Sequence, residues 1–227
     1  MDRNVSGSFR LECGVRKRHH FICYMKAVTS GLFGDYKLLA EEAAHRFQKH
    51  TGLPVVILDH RDLFKIRDHP LIKHAGTNTR EQALFLKVFL FDLIPDEDFI
   101  WFDADYACIS PWDPLKDYDG CFTAVRDRTA YLMELNDIKS SSIINYFNSG
   151  FFIANRKNHA SLFKACQEEW GNINWRWHDQ CLLNFIFERT GTPVRYLDRR
   201  HNCMNYGPVF ERSNVSVTPA TSGGVVS

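Results

Sequence analysis

The sequence predicts an α/β domain with a mostly parallel central sheet flanked by helices. Three observations carry this. The chain opens strand, helix, strand, which is the unit that builds parallel sheets. Short apolar runs then alternate with stretches of helical spacing. One of those runs, Phe99-Ile-Trp-Phe102, leads straight into two aspartates spaced one apart, Asp103 and Asp105. A buried strand does not carry two carboxylates, so the pair belongs where the strand leaves the core. In an open α/β sheet the C-terminal ends of the strands are where ligands bind.

The elements follow in order. Residues 1–18 are polar and aperiodic, and His20-Phe-Ile-Cys-Tyr-Met25 reads as the first strand. Thr29 to Asp35, with two glycines, reads as a loop. Tyr36 to His50 has helical spacing through Leu38, Leu39, Ala43, Ala44 and Phe47. Gly52 follows the helix end and Pro54 opens a strand, Val55-Val-Ile-Leu58. Residues 59–79 read as a mixed polar loop, and Arg80 to Leu93 as a helix stopped by Pro95, ahead of the acidic strand at 99–102. Pro111-Trp-Asp-Pro114 enforces a turn before a short strand, Cys121 to Val125. Asn148-Ser-Gly150 leads into a strand, Phe151-Phe-Ile-Ala154. Lys157 to Trp170 and Asp179 to Glu188 are helical, and Val194-Arg-Tyr-Leu197 is the last strand. Beyond Arg212 the composition turns to Ser, Thr, Val, Gly and Pro. The organisation expected is one domain over 19–212, with 1–18 and 213–227 as peripheral tails or a linker to further domains. No internal repeat is visible.

Composition bounds the partners. At 227 residues, 44% hydrophobic and 24% charged, the chain can bury a full core. A net charge of +1 offers nothing to a nucleic acid. The basic cluster Arg16-Lys-Arg-His-His20 is short and reads as a solvated approach to the first strand. No apolar run approaches the ~18 residues a membrane span needs, and the N-terminus lacks an apolar signal-peptide core. The seven cysteines lack CxxC or Cys/His pairing, and Cys23, Cys108, Cys121, Cys166 and Cys181 fall in apolar contexts. That pattern reads as free, mostly buried thiols in a reducing, cytoplasmic setting. Asn4-Val-Ser6 and Asn214-Val-Ser216 match glycosylation sequons near the ends.

Several residues could carry chemistry. Asp103 and Asp105 repel each other unless a positive group sits between them. A hard divalent cation bound to phosphate oxygens fits that place, and a plain acidic surface turn is the other reading. Lys87 is the one charge in the apolar stretch Ala83 to Phe91. It is either buried against a counter-anion, such as those carboxylates or a phosphate, or it snorkels to water. Asn148-Ser149-Gly150 is either a turn or an amide-and-hydroxyl contact for a sugar, with Gly allowing close approach. Asp179, in Trp175-Arg-Trp-His-Asp-Gln180, suits a helix N-terminus, while the tryptophans beside it suit a carbohydrate-contacting wall. His201 follows the last strand as a metal ligand, a proton-transfer group or a surface histidine.

The order of these segments resembles the GT-A glycosyltransferases, in the style of the retaining families 8 and 34. The segments are the Lys87 helix, Pro95-Asp-Glu-Asp-Phe-Ile-Trp-Phe-Asp-Ala-Asp105, Pro111-Trp-Asp-Pro-Leu115, Asn145-Tyr-Phe-Asn-Ser-Gly-Phe-Phe-Ile-Ala-Asn155 and His178-Asp-Gln-Cys-Leu-Leu-Asn184. The likeness spans roughly residues 20–206. It implies a GT-A fold and an enzyme that moves a sugar from a nucleotide-sugar to a glycan or other hydroxyl acceptor, with retention. UDP is the favoured donor base and GDP the second.

Under the resemblance, Asp103 and Asp105 bind Mn²⁺ or Mg²⁺ on the donor diphosphate, with Ala104 between them against the donor. Lys87 lies near the donor, Asn148 and Ser149 contact the donor sugar, and Asp179 and Gln180 stand beside the anomeric carbon. Thr29 and Ser30 fall in the nucleotide pocket. A cation on the leaving diphosphate supplies an electrostatic term that is often the largest in such reactions. Asp179 is then a charge stabiliser or a nucleophile.

The family often closes its site with His-x-x-Gly-x-x-Lys-Pro-Trp. Here His201-Asn-Cys-Met-Asn-Tyr-Gly207 is a partial echo, with no Lys-Pro-Trp after it. His201 is therefore one candidate for the third metal ligand, and water with phosphate oxygens is the other. Competing functions are a non-catalytic nucleotide-sugar-binding module and a DxD phosphatase. The latter wants its motif near the first strand and a later acidic motif. A nucleotidyltransferase would need a Gly-rich loop after the first strand, and none is present.

Overall fold

A computed structural model describes residues 25–32, 35–70, 79–95, 98–116, 118–127, 146–170, 179–201 and 217–219. The elements are β1 (Lys26–Ser30), α1 (Asp35–Thr51), β2 (Val55–Leu58), α2 (His60–Lys65), α3 (Thr79–Val88), α4 (Leu90–Leu93), β3 (Asp98–Phe102), β4 (Tyr106–Cys108), β5 (Phe122–Arg126), β6 (Phe147–Asn155), α5 (Arg156–Glu169), α6 (Asp179–Thr190), β7 (Val194–Leu197), a 3₁₀ turn (Arg199–His201) and β8 (Val217–Pro219).

Six strands form one sheet in the order β2-β1-β3-β6-β5-β7. β1 pairs parallel with β2 and β3, and β5 parallel with β7, while β6 runs antiparallel to both β3 and β5. The mostly parallel sheet expected from the sequence is thus present, with β6 reversed. Strands 2 and 7 lie where the apolar runs place them, at 55–58 and 194–197. β4 and β8 pair antiparallel as a separate ribbon, so part of the stretch read as a C-terminal tail lies against the chain just after Asp105.

Both sheet faces are covered, which is why the central strands read as continuous apolar runs. Side chains alternate across β3. Phe99 and Trp101 join a core built with α3, α4, α5 and α6, while Ile100 and Phe102 join Ala43 and Phe47 of α1 on the other side. Phe47 stacks on Phe102 at 4.6 Å, and Phe99, Phe152 and Phe163 continue the opposite layer.

Four differences from the sequence reading have physical reasons. The first strand lies at 26–30, where Ala27 to Ser30 meet Val55 to Leu58 residue by residue. Thr29 and Ser30 therefore end a strand instead of sitting in a loop, and of the expected strand at 20–25 all but Met25 lie outside the described residues. The polar stretch after β2 holds α2, because Asp59 and Asp62 form a reciprocal capping box. The helix before β3 breaks at Phe89 into α3 and α4. Asn148-Ser149-Gly150 lies inside a nine-residue strand, and its pairing with β5 jumps there: Ala124 faces Phe152, and Val125 faces Asn148. The residues between are released from that ladder, as at a bulge.

Cys108, Cys166 and Cys181 are free and buried, as expected. Cys121 is not: it is disulfide-bonded. Its apolar neighbours suggested a buried thiol, but a disulfide is equally content there and persists where the surroundings are oxidising. Cys23 lies outside the described residues.

His159, at the start of α5, is buried beside Phe122 and accepts the Asn155 N–H at Nδ1, 2.8 Å away. Burial holds this imidazole neutral, lowering its pKa from 6.5 to about 4. A base with a depressed folded pKa loses stability as the unfolded chain takes up protons, so the loss begins below pH 6.5 and is complete near 4. By linkage it amounts to about 3 kcal/mol. Urea unfolding between pH 7.5 and 4.5 should show this loss in the wild type and not in His159→Gln, beyond the shared carboxylate contribution.

Candidate active site

The site forms where β3, β5 and β6 meet the first turn of α6. Asp103 follows β3, and its backbone N–H donates to Gly150 O at 2.9 Å, extending the β3–β6 ladder by one step. A tight turn, Tyr106 N–H to Asp103 O at 3.0 Å, brings Asp105 back beside it, with Ala104 buried between them. Burial and the Asp103 charge push the Asp105 carboxyl up to about 6. In the described contacts a single cation, Lys87, faces the two carboxylates.

Lys87 does not snorkel: it is 1% exposed. Its Nζ lies 2.7 Å from Asp179 Oδ2 and 3.0 Å from Asp103 Oδ1, and donates to Ser149 O at 3.1 Å. Burial alone would lower the lysine's pKa, but the two carboxylates outweigh it and the pKa is raised. The ammonium also stands 5.2 Å over the Trp101 ring. The helix α3 delivers it because Phe85, Leu86 and Val88 are buried around it.

Asp179 opens α6 and is 2% exposed. Besides Lys87 it accepts the Ser149 hydroxyl at 2.8 Å. Gln180 is fixed at both ends of its amide. Its Oε1 accepts from Ser149 N and Asn148 Nδ2, each at 3.1 Å, and its Nε2 donates to Asp127 at 3.3 Å. Asn148 also donates to Asp127 at 3.3 Å. Gly150 has no room for a side chain: an added Cβ would stand 2.8 Å from Asn148 Oδ1 and 3.0 Å from Asp103 Oδ2.

The structure thus joins Lys87, Asp103, Asn148, Ser149, Asp179 and Gln180 in one hydrogen-bonded chain, with Asp105 at its edge. It does not bring His201 into a metal-holding group: no three His, Cys, Asp or Glu side chains do so among the described residues. The His201 ring packs on Trp112 at 4.9 Å, and its carbonyl accepts the Tyr106 hydroxyl at 2.7 Å. That histidine follows a strand, as a ligand would, and the 3₁₀ turn packs its ring on Trp112. Thr29 and Ser30 end β1, and the buried Thr29 Oγ1 has no hydrogen-bond partner among the described residues. Trp175 and Trp177 lie outside the described residues. The sequence reading missed Asp127 and Trp101. Asp127 had a signal, since it too follows an apolar strand, Phe122-Thr-Ala-Val125.

The model of glycosyl transferase family 8 matches residues 44–220. The chain belongs to that family. Its fold is shared by solved glycosyltransferases. The bifunctional glycosyltransferase WbbM in its apo form superposes with a TM-score of 0.61 at 14% identity, over 82% of this chain and 40% of WbbM. The glycosyltransferase GlyE of Streptococcus pneumoniae TIGR4 gives 0.57 at 16% identity, over 87% of this chain and 55% of GlyE. The galactosyltransferase LgtC, solved with donor and acceptor sugar analogs, gives 0.57 at 16%, over 86% of each chain. This family 8 chain therefore spans about half the length or less of the first two. At such identities the likeness establishes the GT-A fold. A search of curated proteins by sequence finds no match. No helix among the described residues is long and apolar enough to cross a membrane.

Proposed function

We propose that this chain transfers a sugar from a nucleotide-sugar, UDP-linked in the first instance and GDP-linked in the second, to a glycan or other hydroxyl acceptor, with retention and with a divalent cation. The observation that carries this is the pairing at the end of β3. Asp103 and Asp105 stand side by side, and Asp103 is tied through buried Lys87 to Asp179. Three carboxylates, Asp103, Asp105 and Asp179, gather here around the buried Lys87 ammonium. Mn²⁺ or Mg²⁺ fits that excess. Asp103 and Asp105 would hold it, with phosphate oxygens and water completing the shell in place of His201. The cation's contribution is to offset charge on the departing diphosphate.

The chain's own groups do the rest. Thr29 and Ser30, at the end of β1, are assigned to the nucleotide end. Asn148, Ser149 and Gln180 present amide and hydroxyl groups of settled orientation to the donor sugar. Asp179 sits behind them with one oxygen bonded to both Lys87 and Ser149, which favours a charge-stabilising role over attack on the sugar. Its negative charge opposes the positive character that grows on the sugar as the bond to phosphate breaks.

Calorimetry with UDP and GDP, each with and without Mn²⁺, tests the reading. Binding should weaken at least about tenfold on chelation and in Asp105→Ala. Equal affinity in all arms would refute the cation. A thermal-shift panel of nucleotide-sugars, followed by a turnover assay on the best binder, separates a transferase from a module that only binds.

A further inference from the structure

Asp103 does not present its two oxygens equally. Oδ1 is held on the core side by two donors, the Trp101 indole N–H at 2.9 Å and the Lys87 ammonium at 3.0 Å. A carboxylate oxygen has about two lone-pair sites, so two donors fill it. Oδ2 points the other way, over Gly150, where the missing Cβ leaves it room. The side chain as a whole is 40% exposed, so this second oxygen has access to a ligand. Trp101 cannot easily withdraw. It is 1% exposed and stacked on Phe152 at 6.4 Å, and the lysine lies over its face.

We propose that Trp101 is a specificity-determining residue for the cation: by occupying Oδ1 it leaves Asp103 a single oxygen to offer, and so favours small divalent ions over calcium. This rests on the cation-dependent reading above and deepens it. Mg²⁺ keeps a compact octahedral shell and accepts carboxylates through one oxygen. Ca²⁺ gathers six to eight oxygens and commonly takes both from one carboxylate. Here the second oxygen comes free only if the indole or the ammonium lets go.

The test is nucleotide binding by calorimetry, with Mn²⁺ or Ca²⁺ as the sole divalent ion, in wild type and Trp101→Phe. Phenylalanine keeps the ring in the core and removes the N–H. In the variant the preference for Mn²⁺ over Ca²⁺ should shrink about tenfold, in line with the loss of a group that orients a ligand. An unchanged ratio, or an equal loss for both ions, overturns the proposal, since a merely structural tryptophan would act on both alike. If wild type binds UDP and GDP without regard to either ion, the cation reading itself fails, and that result appears before any variant is made. Should Trp101→Phe not fold, wild-type protein labelled with ¹⁵N-tryptophan carries the test. The assigned Trp101 indole N–H should stay protected from exchange when Mg²⁺ and UDP are added. Its release on adding them would overturn the proposal equally.

Discussion

Lys87→Met should destabilise the fold by about 3–5 kcal/mol at neutral pH, the range for removing one partner of a buried ion pair. The ammonium is fully enclosed and lies within 3.0 Å of two carboxylates. Methionine fills the space but leaves Asp179, itself 2% exposed, without its cation. Asp103 suffers less, because it keeps the Trp101 donor and is partly solvated. Asp179→Asn in the Lys87→Met background should therefore recover a large part of the loss, as it removes the stranded charge. Urea unfolding of the two single variants and the double variant measures this coupling. If Lys87→Met costs less than about 1 kcal/mol, as at an exposed pair, the enclosed ion pair does not govern stability.

The second large effect is on turnover. Asp179→Asn should lower kcat by roughly 10²–10⁴-fold and leave nucleotide affinity within about threefold, because the proposed function assigns the nucleotide to the ends of β1 and β3. Asparagine is nearly isosteric and can still accept the Ser149 hydroxyl, so the charge and its ion pair with Lys87 are removed while the ammonium keeps Asp103. A helix-terminal aspartate with no other role tolerates this change well. Near wild-type turnover in a folded Asp179→Asn would make the residue structural. Activity falling only with the unfolded fraction would say the same.

Much of this was legible in the sequence because burial leaves a mark on composition. β3 is read from its apolar run, since a strand covered on both faces admits little else, while the edge strands β2 and β7 are only partly buried and are read from their β-branched and aromatic residues. Lys87 stood out for the same reason: a charge in an apolar helix must find a partner. What stayed hidden were features set by geometry more than by residue type. β4 is three residues long and gains its identity only by pairing with β8. The box that starts α2 uses two aspartates where a Ser or Thr with a Glu is the readable form. Trp101 looked like one more aromatic core residue, because the direction of an indole N–H is not written in a sequence. His201 shows the complementary limit. Its place after a strand suits a ligand, but a single turn decides which way a ring faces.

The bonds that build the site span long stretches of chain. Lys87 reaches Ser149 across 62 residues, and Gln180 reaches back 53 to Asp127. Closing loops of that size is a slow, late event in folding, since the entropy lost in closure precedes the contacts that reward it. A chain with only its first β-α-β unit formed would carry scattered charges and no pocket. Ligand binding should thus report completed folding: in refolding experiments the recovery of nucleotide binding should trail the recovery of helical signal. A nucleotide with its cation, added early, should raise the final yield by holding the last contacts in place.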